Sequence, residues 1–393
     1  MAGTVILGAA RTPIGKLSGA LASSSAMSLG AVAIKEALRR AGVIPEKVDY
    51  VFMGHVLQAG QGQITARQAA TGAGIAMDVP CTTVNKVCLS GMNAIYLADL
   101  MINAGEADIV VAGGMESMTQ APYLLPQARQ GYRLGDATII DSMMYDGLTC
   151  AFDQCAMGKS TENYNMATGV SRDRQDAFAA LSHERAANAQ KNGRFAMEIA
   201  PVTIPQRKGD PIVVDSDEGI RPETTVESLS KLKPAFSSDG TITAGNASQI
   251  SDGAAAVVVA SKAAAEKLGV KPLGEILGYG QVAGPDASLL HQPSGAIRKA
   301  LERSGKSIGD IDLFEINEAF AAVGLASMDD LGIDEKVCNV NGGAIAFGHP
   351  LGASGARLVV TMLYEMQQRG ASTGAAGLCG GGGQGDAIIL SAS

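Results

Sequence analysis

The hydrophobic pattern of this chain predicts short buried strands that alternate with helices. Residues 4–9 (TVILGA), 108–114 (DIVVAGG) and 386–393 (DAIILSAS) are apolar runs of strand length. Runs with so little polar alternation are typical of strands that helices cover on both faces. The pattern of residues 173–192 instead predicts a helix. Together these segments predict an α/β fold.

A repeated pattern relates the two ends of the chain at an offset of 263 residues (297 − 34). Residues 34–42 (IKEALRRAG) align with 297–305 (IRKALERSG), and residues 48–51 align with 311–314 without a gap. Each copy predicts an amphipathic helix that ends at glycine, followed by a short loop and a buried strand. The chain therefore contains two copies of one β/α unit.

A later pair of positions, Ser90-Gly91 and Ser354-Gly355, matches at nearly the same offset and opens a helix-like apolar stretch in each copy. The duplication predicts two stacked α/β halves whose sheets lie between helices.

The segment between the two copies has a different character. Residues 120–249 are rich in turn formers and charges, as in QRKGDPIVVDSDEG. We expect residues 1–119, completed by about 250–271, to form the first half and residues 272–393 to form the second. Residues 120–249 are then an inserted loop domain that carries binding surface, or alternatively a solvated loop without such a role.

Composition and charge exclude several classes of function. The chain has 31 Lys and Arg against 39 Asp and Glu, a net charge of −8 that argues against nucleic-acid binding. No apolar run reaches the roughly 18 residues of a membrane span. The first predicted strand leaves no room for a targeting peptide, so we expect a cytoplasmic protein. The six cysteines lack CxxC spacing and the four histidines are scattered, so no metal site is expected.

Cys88, in the segment NKVCLSG, is the first candidate for chemistry. The stretch from Gly91 to Gly105 has helical spacing, which places Cys88 at or just before a helix N-terminus. Unpaired N–H groups and the helix dipole favour a thiolate there, and a thiolate is a good nucleophile toward a thioester. A buried structural cysteine is the alternative.

His349 and Cys379 lie in two glycine-rich segments, GGAIAFGHPLGASG and LCGGGGQG. Pro350 keeps His349 out of a helix that we expect from Ser354 onward, so His349 can act as a base from a loop. Cys379 follows an apolar run and enters four glycines, where a second thiol can act as acid and base at a carbon next to a carbonyl. A turn histidine and an ordinary glycine turn are the alternatives.

Asn317 lies at the end of the apolar run LFEI, opposite Gly54 in the repeat alignment. An uncharged amide can hold a water molecule or donate to a developing oxyanion without titrating. Glu318 beside it orients neighbouring groups. A structural amide that satisfies backbone groups is the alternative for Asn317.

Several longer motifs give the chain a family resemblance over essentially its whole length. VILGAARTPIGK, VAGGMESM, TAGNAS, NEAFA, NVNGGAIAFGHPLGASGAR and CGGGGQG resemble the thiolase family, in particular its biosynthetic acetoacetyl-CoA thiolases. The resemblance implies duplicated α/β halves in five layers (α-β-α-β-α), with an inserted loop domain that binds coenzyme A. It also implies a homotetramer built as a dimer of dimers, coenzyme A and acetyl-CoA as substrates, and no permanently bound cofactor.

The resemblance assigns roles to the candidate residues. Cys88 matches the nucleophile that becomes acylated, His349 the base that activates it, and Cys379 the acid and base for the α-proton. Asn317 matches the residue that holds a water molecule in one oxyanion hole together with the histidine. The backbone N–H groups of Cys88 and Gly381 match the donors of the other oxyanion hole.

The positions that match family contacts to coenzyme A are Leu148, Met157, His183, Arg221, Ser228, Ala244, Ser248 and Phe320. Arg221 suits a 3′-phosphate and Ser248 a pantetheine amide. His183 matches a weaker contact, and Phe320 a wall of the acyl pocket. The chain departs from the family at Ala156, where acetyl-specific relatives often carry histidine, and at Leu89, which commonly is glycine.

These observations favour a ping-pong acyltransferase that condenses two acetyl-CoA into acetoacetyl-CoA and catalyses the reverse thiolysis. A degradative thiolase for longer 3-ketoacyl chains shares every catalytic residue and is the nearest alternative. An inactive coenzyme A or lipid-binding protein on the same scaffold is an alternative of another class. A redox or metal protein is a third, which the cysteine spacing disfavours.

Overall fold

The computed structural model describes residues 3–393. Its strands are β1 (Thr4–Arg11), β2 (Gly15–Lys16), β3 (Tyr50–Gly54), β4 (Cys81–Val84), β5 (Ile109–Ser117), β6 (Tyr123–Leu124), β7 (Ile140–Asp141), β8 (Thr149–Cys150), β9 (Cys155–Ala156), β10 (Val202–Ile204), β11 (Ile212–Val214), β12 (Ser251–Ser261), β13 (Gly274–Ala283), β14 (Leu313–Ile316), β15 (Thr373–Gly380) and β16 (Gln384–Ala392).

Its helices are α1 (Ala26–Ala41), α2 (Thr65–Gly72), α3 (Ser90–Asn103), α4 (Met157–Thr168), α5 (Arg172–Lys191), α6 (Val226–Ser230), α7 (Lys262–Leu268), α8 (Gln292–Ser304), α9 (Ala321–Leu331), α10 (Ala344–Phe347) and α11 (Leu351–Arg369). Single 3₁₀ turns occupy residues 45–47, 194–197, 308–310 and 335–337, and a π-helical turn occupies 143–147.

The main sheet has two halves that share one hydrogen-bonded path. Its strands follow the order β14-β15-β16-β13-β1-β12-β5-β3-β4, and β2 pairs with β12. The halves join where Thr4–Ile6 of β1 lie opposite Gly274–Ile276 of β13. Pairs β3–β4, β3–β5 and β14–β15 are parallel, whereas the inner pairs are antiparallel.

The helices form three layers around the two halves of the sheet. Helices α1 and α2 cover the outer face of the first half, and α8 and α9 cover that of the second. Helices α3 and α11 lie between the halves and contact strands of both. The order is α-β-α-β-α, so the predicted five-layer fold is confirmed.

The repeat read from the sequence is visible in the structure. Helices α1 and α8 end at Gly42 and Gly305, both in the left-handed conformation with φ of 63° and 66°. The 3₁₀ turns at 45–47 and 308–310 follow at the same offset, and β3 and β14 come next. Equal local sequences thus form equal local structures, including the glycine cap.

The matching glycines of the repeat let the two central helices approach closely. A methyl group on Gly91 of α3 would lie 2.8 Å from the carbonyl oxygen of Gly352, and one on Gly355 of α11 would lie 2.5 Å from the backbone nitrogen of Met92. One on Gly114 of β5 would lie only 1.8 Å from the same carbonyl oxygen of Gly352. The start of α11 therefore packs directly against backbone.

Two sequence-based boundaries differ from the structure. Helix α11 begins at Leu351 and not at Ser354, because Pro350 takes the N-cap position with an extended backbone and the first turn follows at once. Strand β15 continues through Cys379 to Gly380, so Cys379 ends a strand and only the following glycines form the turn.

Residues 120–249 fold into small elements that surround the main sheet. They contain the two-stranded sheets β6–β7, β8–β9 and β10–β11 and the helices α4 to α6. Helix α5, at Arg172–Lys191, confirms the helix predicted over residues 173–192. It packs against α6, α9 and α10.

Candidate active site

A tight turn between β4 and α3 presents Cys88. Val87 adopts the left-handed conformation with φ of 50°, which is strained for a β-branched residue. Its N–H donates to Oδ1 of Asn85 at 3.0 Å, and the Ser90 hydroxyl donates to its carbonyl at 2.5 Å. The Lys86 N–H donates to the Ser90 hydroxyl oxygen at 2.8 Å. These bonds fix Cys88 two residues before the helix.

Burial opposes the thiolate that the sequence predicts at Cys88. Backbone N–H groups of Gly381 and of Cys88 itself face the sulfur and lower the thiol pKa, but burial has the larger effect. It raises the pKa of Cys88 to about 12, and the nearby Glu116 adds to the increase. Desolvation outweighs the helix N-terminus here, so Cys88 needs a base when it reacts.

His349 is held so that it can serve as that base. The backbone N–H of His349 donates to the carbonyl oxygen of Gln249 at 3.1 Å. The ring Nδ1 of His349 lies 2.6 Å from the hydroxyl oxygen of Ser354. That hydroxyl also lies 3.0 Å from the carbonyl oxygen of Pro350; when it donates there, it accepts the Nδ1 proton and Nε2 carries the lone pair. Nε2 has no hydrogen-bond partner among residues 3–393.

The protonation state of His349 agrees with this arrangement. Burial, assisted by the positive charge of Arg357, lowers the pKa of His349 to about 3. The imidazole is therefore neutral at physiological pH.

Cys379 is fully buried near the first thiol. Burial raises the pKa of Cys379 well above its ordinary value, and proximity to Cys88 raises it further. The turn after β15 contains Gly382 and Gly383 with φ of 81° and 67°, conformations that favour glycine. This turn presents the Gly381 N–H to the Cys88 sulfur.

Asn317 follows β14, and its side chain is unusual for a buried amide. Its backbone N–H donates to the carbonyl of Gly377 at 3.0 Å. Its side-chain oxygen and nitrogen are both buried without a hydrogen-bond partner in the described part of the chain, 3–393. Buried polar groups are usually paired, so this unpaired amide is a candidate for contact with a ligand or water.

Glu318 has the orienting position expected from the sequence. Its carboxylate accepts bonds from the Ser182 hydroxyl at 2.6 Å, from Nδ2 of Asn339 at 2.9 Å and from the Ile345 N–H at 3.1 Å. Glu318 therefore fixes the segment that leads to His349.

One narrow cavity brings most of the predicted residues together. The catalytic candidates in its wall are Cys88, His349, Cys379 and Gly381, and the predicted coenzyme A contacts there are Leu148, Met157, Ser248 and Phe320. Asn317 is close in sequence to Ala319 and Phe320 of the wall. Residues from both halves and from the inserted segment thus meet at one point.

The remaining predicted contacts lie apart from this cavity. Arg221, Ser228 and Ala244 line a separate surface pocket. His183 is fully buried next to this pocket, and its Nδ1 accepts a hydrogen bond from the backbone N–H of Arg221 at 3.1 Å. Burial lowers the pKa of His183 to about 4, so it is a neutral acceptor that positions Arg221.

The two family departures have different surroundings. Leu89 is fully buried in the core between the sheet halves, against Gly380, where an added methyl would lie 2.6 Å from Cγ of Leu89. Leu89 thus supports the glycine turn from behind. Ala156 ends β9 directly before Met157 of the cavity wall.

Sequence reasoning missed Ser354 as the partner of His349 and Gln249 as the acceptor for its backbone. The repeat did mark Ser354, but as the start of a helix. Its bond to an imidazole five residues earlier depends on the turn at Pro350, which the residue pattern does not specify.

Family comparison agrees with the geometry. The model for the N-terminal domain of thiolase matches residues 4–263, and the model for its C-terminal domain matches residues 270–392. The chain belongs to the thiolase family.

Its relatives carry consistent names. A probable acetyl-CoA acetyltransferase of Mycolicibacterium smegmatis is 56% identical to this thiolase, and the alignment covers 98% of this chain and 100% of the relative. An acetyl-CoA acetyltransferase of Cupriavidus necator is 52% identical, with 99% of each chain covered. The crystal structure of the Bacillus anthracis acetyl-CoA acetyltransferase has a TM-score of 0.97 at 40% identity, covering 100% of this chain and 99% of that one.

None of the helices within residues 3–393 combines the length and hydropathy needed to cross a bilayer. The same range contains no group of three or more His, Cys, Asp or Glu side chains arranged to hold a metal ion.

Proposed function

We propose that this thiolase is an acetyl-CoA C-acetyltransferase that works through an acetyl group on Cys88. The observation that carries the proposal is the shared cavity, in which two thiols, a neutral imidazole and an inward-facing N–H group meet. The names of the acetyl-CoA acetyltransferase relatives, at 51–56% identity over nearly full length, support the same activity.

The first half-reaction transfers an acetyl group to the enzyme. Nε2 of His349 takes the Cys88 proton, and the resulting thiolate attacks the thioester carbonyl of acetyl-CoA. The N–H groups of Cys88 and Gly381 stabilise the oxyanion of the tetrahedral intermediate. The C–S bond to coenzyme A breaks, and its sulfur takes the proton of Cys379, which becomes the thiolate.

The second half-reaction forms the carbon–carbon bond. Cys379 takes an α-proton from a second acetyl-CoA, and Asn317 with His349 stabilises the enolate oxygen. The enolate attacks the acetyl carbon on Cys88, and the bond from that carbon to sulfur breaks. Cys88 recovers its proton from His349, so acetoacetyl-CoA and free coenzyme A leave an unchanged enzyme. Thiolysis is the same sequence in reverse.

We further propose that residues 120–249 bind coenzyme A as a substrate and that the enzyme holds no permanent cofactor. Arg221 suits the 3′-phosphate because a guanidinium matches phosphate geometry, and Ser248 in the cavity wall suits the pantetheine amide. Ser228 and Ala244 complete the surface pocket around the arginine.

We also propose the homotetramer that the family resemblance implies. Apolar side chains are exposed between residues 123 and 145, including Tyr123, Leu134 at 100% and Tyr145. Exposed apolar patches of this kind are typical of subunit contacts. Light scattering of the purified protein is expected to give four times the 40.1 kDa chain mass; a monomeric mass would contradict the tetramer.

The narrow cavity favours a short acyl group over the long chains of degradative thiolases. Met157, Leu289 and Phe320 restrict the space beside Cys88. Turnover of acetoacetyl-CoA is therefore expected to exceed that of a long-chain 3-ketoacyl-CoA, and the reverse preference would establish the degradative alternative.

The central test is acetylation of the purified enzyme by acetyl-CoA. We expect one acetyl group per subunit on the peptide containing Cys88, and none at that position in Cys88→Ser, because serine is not activated by a neutral imidazole to the same extent. Cys81→Ser changes a partly buried thiol in β4 and serves as the matched control with full acetylation. Normal acetylation of Cys88→Ser would refute the assignment, and coenzyme A binding without acetylation of the wild type would favour an inactive binding protein.

A further inference from the structure

Glu116, near the end of β5, is a fully buried carboxylate outside the predicted catalytic set. Its Oε2 accepts bonds from the N–H groups of Val56 at 3.1 Å and Gly352 at 2.9 Å. Its Oε1 accepts the Leu57 N–H at 3.1 Å and lies 3.3 Å from Nε2 of His55. Three backbone donors from two distant segments therefore converge on one side chain.

These two segments adjoin the reacting groups. Gly352 is the second residue of α11 and comes three residues after His349. Val56 and Leu57 follow β3 and pack with Leu351 in a small apolar cluster that contacts Cys88. A shift of either segment would move the imidazole or the wall next to the nucleophile.

The first turn of a helix has backbone N–H groups without a partner inside the helix, and negative charge is favourable there. Glu116 supplies acceptor oxygens to the start of α11, and the three backbone donors oppose the burial that raises the pKa of its carboxyl to about 7. There is no room for a side chain at position 352, because a methyl on Gly352 would lie 3.0 Å from Oε2 of Glu116 and 2.8 Å from the Met115 carbonyl oxygen. A polar bond from a buried carboxylate takes the place of side-chain packing.

We propose that Glu116 is a positioning residue of the thiolase: it fastens the start of α11 to the loop after β3, and so aligns His349 with Cys88. This inference rests on the proposed function, in which His349 must take the Cys88 proton. Glu116 also lies near Cys88, since its charge contributes to the raised pKa of the Cys88 thiol.

A carboxylate is required because its two oxygens accept all three backbone bonds. Glutamine has the same shape but one acceptor oxygen, so at least one N–H would face an amide donor. Glu116→Gln therefore removes part of the connection with little change in volume.

The experiment compares wild-type, Glu116→Gln and Asp49→Asn enzymes. Asp49 is the matched control, since its carboxylate also accepts two backbone N–H groups, those of Asp108 at 2.9 Å and Ile109 at 2.8 Å, but at the opposite end of β5. Thiolysis of acetoacetyl-CoA gives kcat and KM, and iodoacetamide gives the alkylation rate of Cys88.

We expect Glu116→Gln to lower kcat by about 30-fold while KM for acetoacetyl-CoA changes by less than about twofold, as for a partner that orients a catalytic group. Asp49→Asn is expected to keep kcat within about twofold. A folded Glu116→Gln enzyme with normal kcat, or with kcat reduced only as far as in Asp49→Asn, would overturn the proposal.

Two further measurements keep the inference separable from folding and from the proposed function. If Glu116→Gln does not fold, Glu116→Asp replaces it: aspartate keeps the carboxylate but its shorter side chain moves it away from the backbone N–H groups. A loss of kcat of about tenfold is then expected. A normal kcat in Glu116→Asp would refute the positioning role. The alkylation rate needs no acyl-CoA turnover. A wild type inactive toward acetyl-CoA refutes the proposed function, whereas equal alkylation of wild type and Glu116→Gln refutes the positioning role.

Discussion

At the scale of single residues, the chemistry depends on which nitrogen of one imidazole carries a proton. When the hydroxyl of Ser354 donates to the Pro350 carbonyl at 3.0 Å, it accepts from Nδ1 of His349 at 2.6 Å. The lone pair then lies on Nε2, as transfer of the thiol proton from Cys88 requires. The hydroxyl of Ser354 thus governs which nitrogen of His349 carries the proton.

We predict that Ser354→Ala lowers kcat by about 10- to 100-fold and leaves KM within about twofold, because the substrate contacts remain but the imidazole loses its orientation. Steady-state thiolysis of acetoacetyl-CoA measures both constants. Ser327→Ala is the control, as this buried helical serine donates to the carbonyl of Leu290 at 2.9 Å. Equal loss in both variants would contradict a specific role for Ser354.

At the scale of elements, the decisive contact is the crossing of α3 and α11. Both helices use the glycine of the repeated Ser-Gly pair, Gly91 and Gly355, to bring their backbones together. The same N-terminal turns lead back to Cys88 and His349, which lie just before the two helices. Close packing therefore sets how far apart Cys88 and His349 lie.

We predict that Gly355→Ala destabilises the enzyme by about 1–3 kcal/mol, because its methyl would meet the backbone of Met92 and the helices must separate. Gly295→Ala in α8 is the matched control, since the nearest atom to an added methyl there is 3.5 Å away, in Val282. It should be neutral or stabilising by about 0.5–1 kcal/mol. Unfolding midpoints measure the difference, and equal midpoints would disprove the packing argument.

At the scale of the whole molecule, buried ion pairs attach the inserted segment to the main sheet. Arg11 of β1 is fully buried and contacts Glu198 at 2.6 Å and Asp217 at 2.7 Å. These carboxylates hold the pKa of the guanidinium above its ordinary value despite its burial. Phe195 and Phe347 pack against the same guanidinium, with ring centres 5.2 and 5.7 Å away.

We predict that Arg11→Met destabilises the enzyme by about 3–5 kcal/mol, because it leaves Asp217 buried without its cation and leaves Glu198 with Arg194 alone, 3.2 Å away. Arg39→Met is the control: its ion pair with Glu36 is largely exposed, so a change within about 1 kcal/mol is expected. Thermal unfolding monitored by circular dichroism compares the two. Similar shifts in both variants would show that the buried pairs do not hold the insertion in place.

Local sequence was sufficient for much of the fold. The repeat, the glycine caps at Gly42 and Gly305 and the helix in the insertion follow from backbone preferences that neighbouring residues determine. Proline before α11 likewise marked His349 as a loop residue. For the site, motifs identified the side chains but gave no distance between them.

The sequence by itself determined which reactive groups the chain carries and which strands and helices present them, because those properties depend on residue type and near neighbours. Only the tertiary structure decided their chemical state. Desolvation raises the pKa of the Cys88 thiol. Hydrogen bonds orient the imidazole of His349 and join Glu116 to the start of α11, a segment far away in the chain. Such long-range effects exist only once the two halves have closed around α3 and α11.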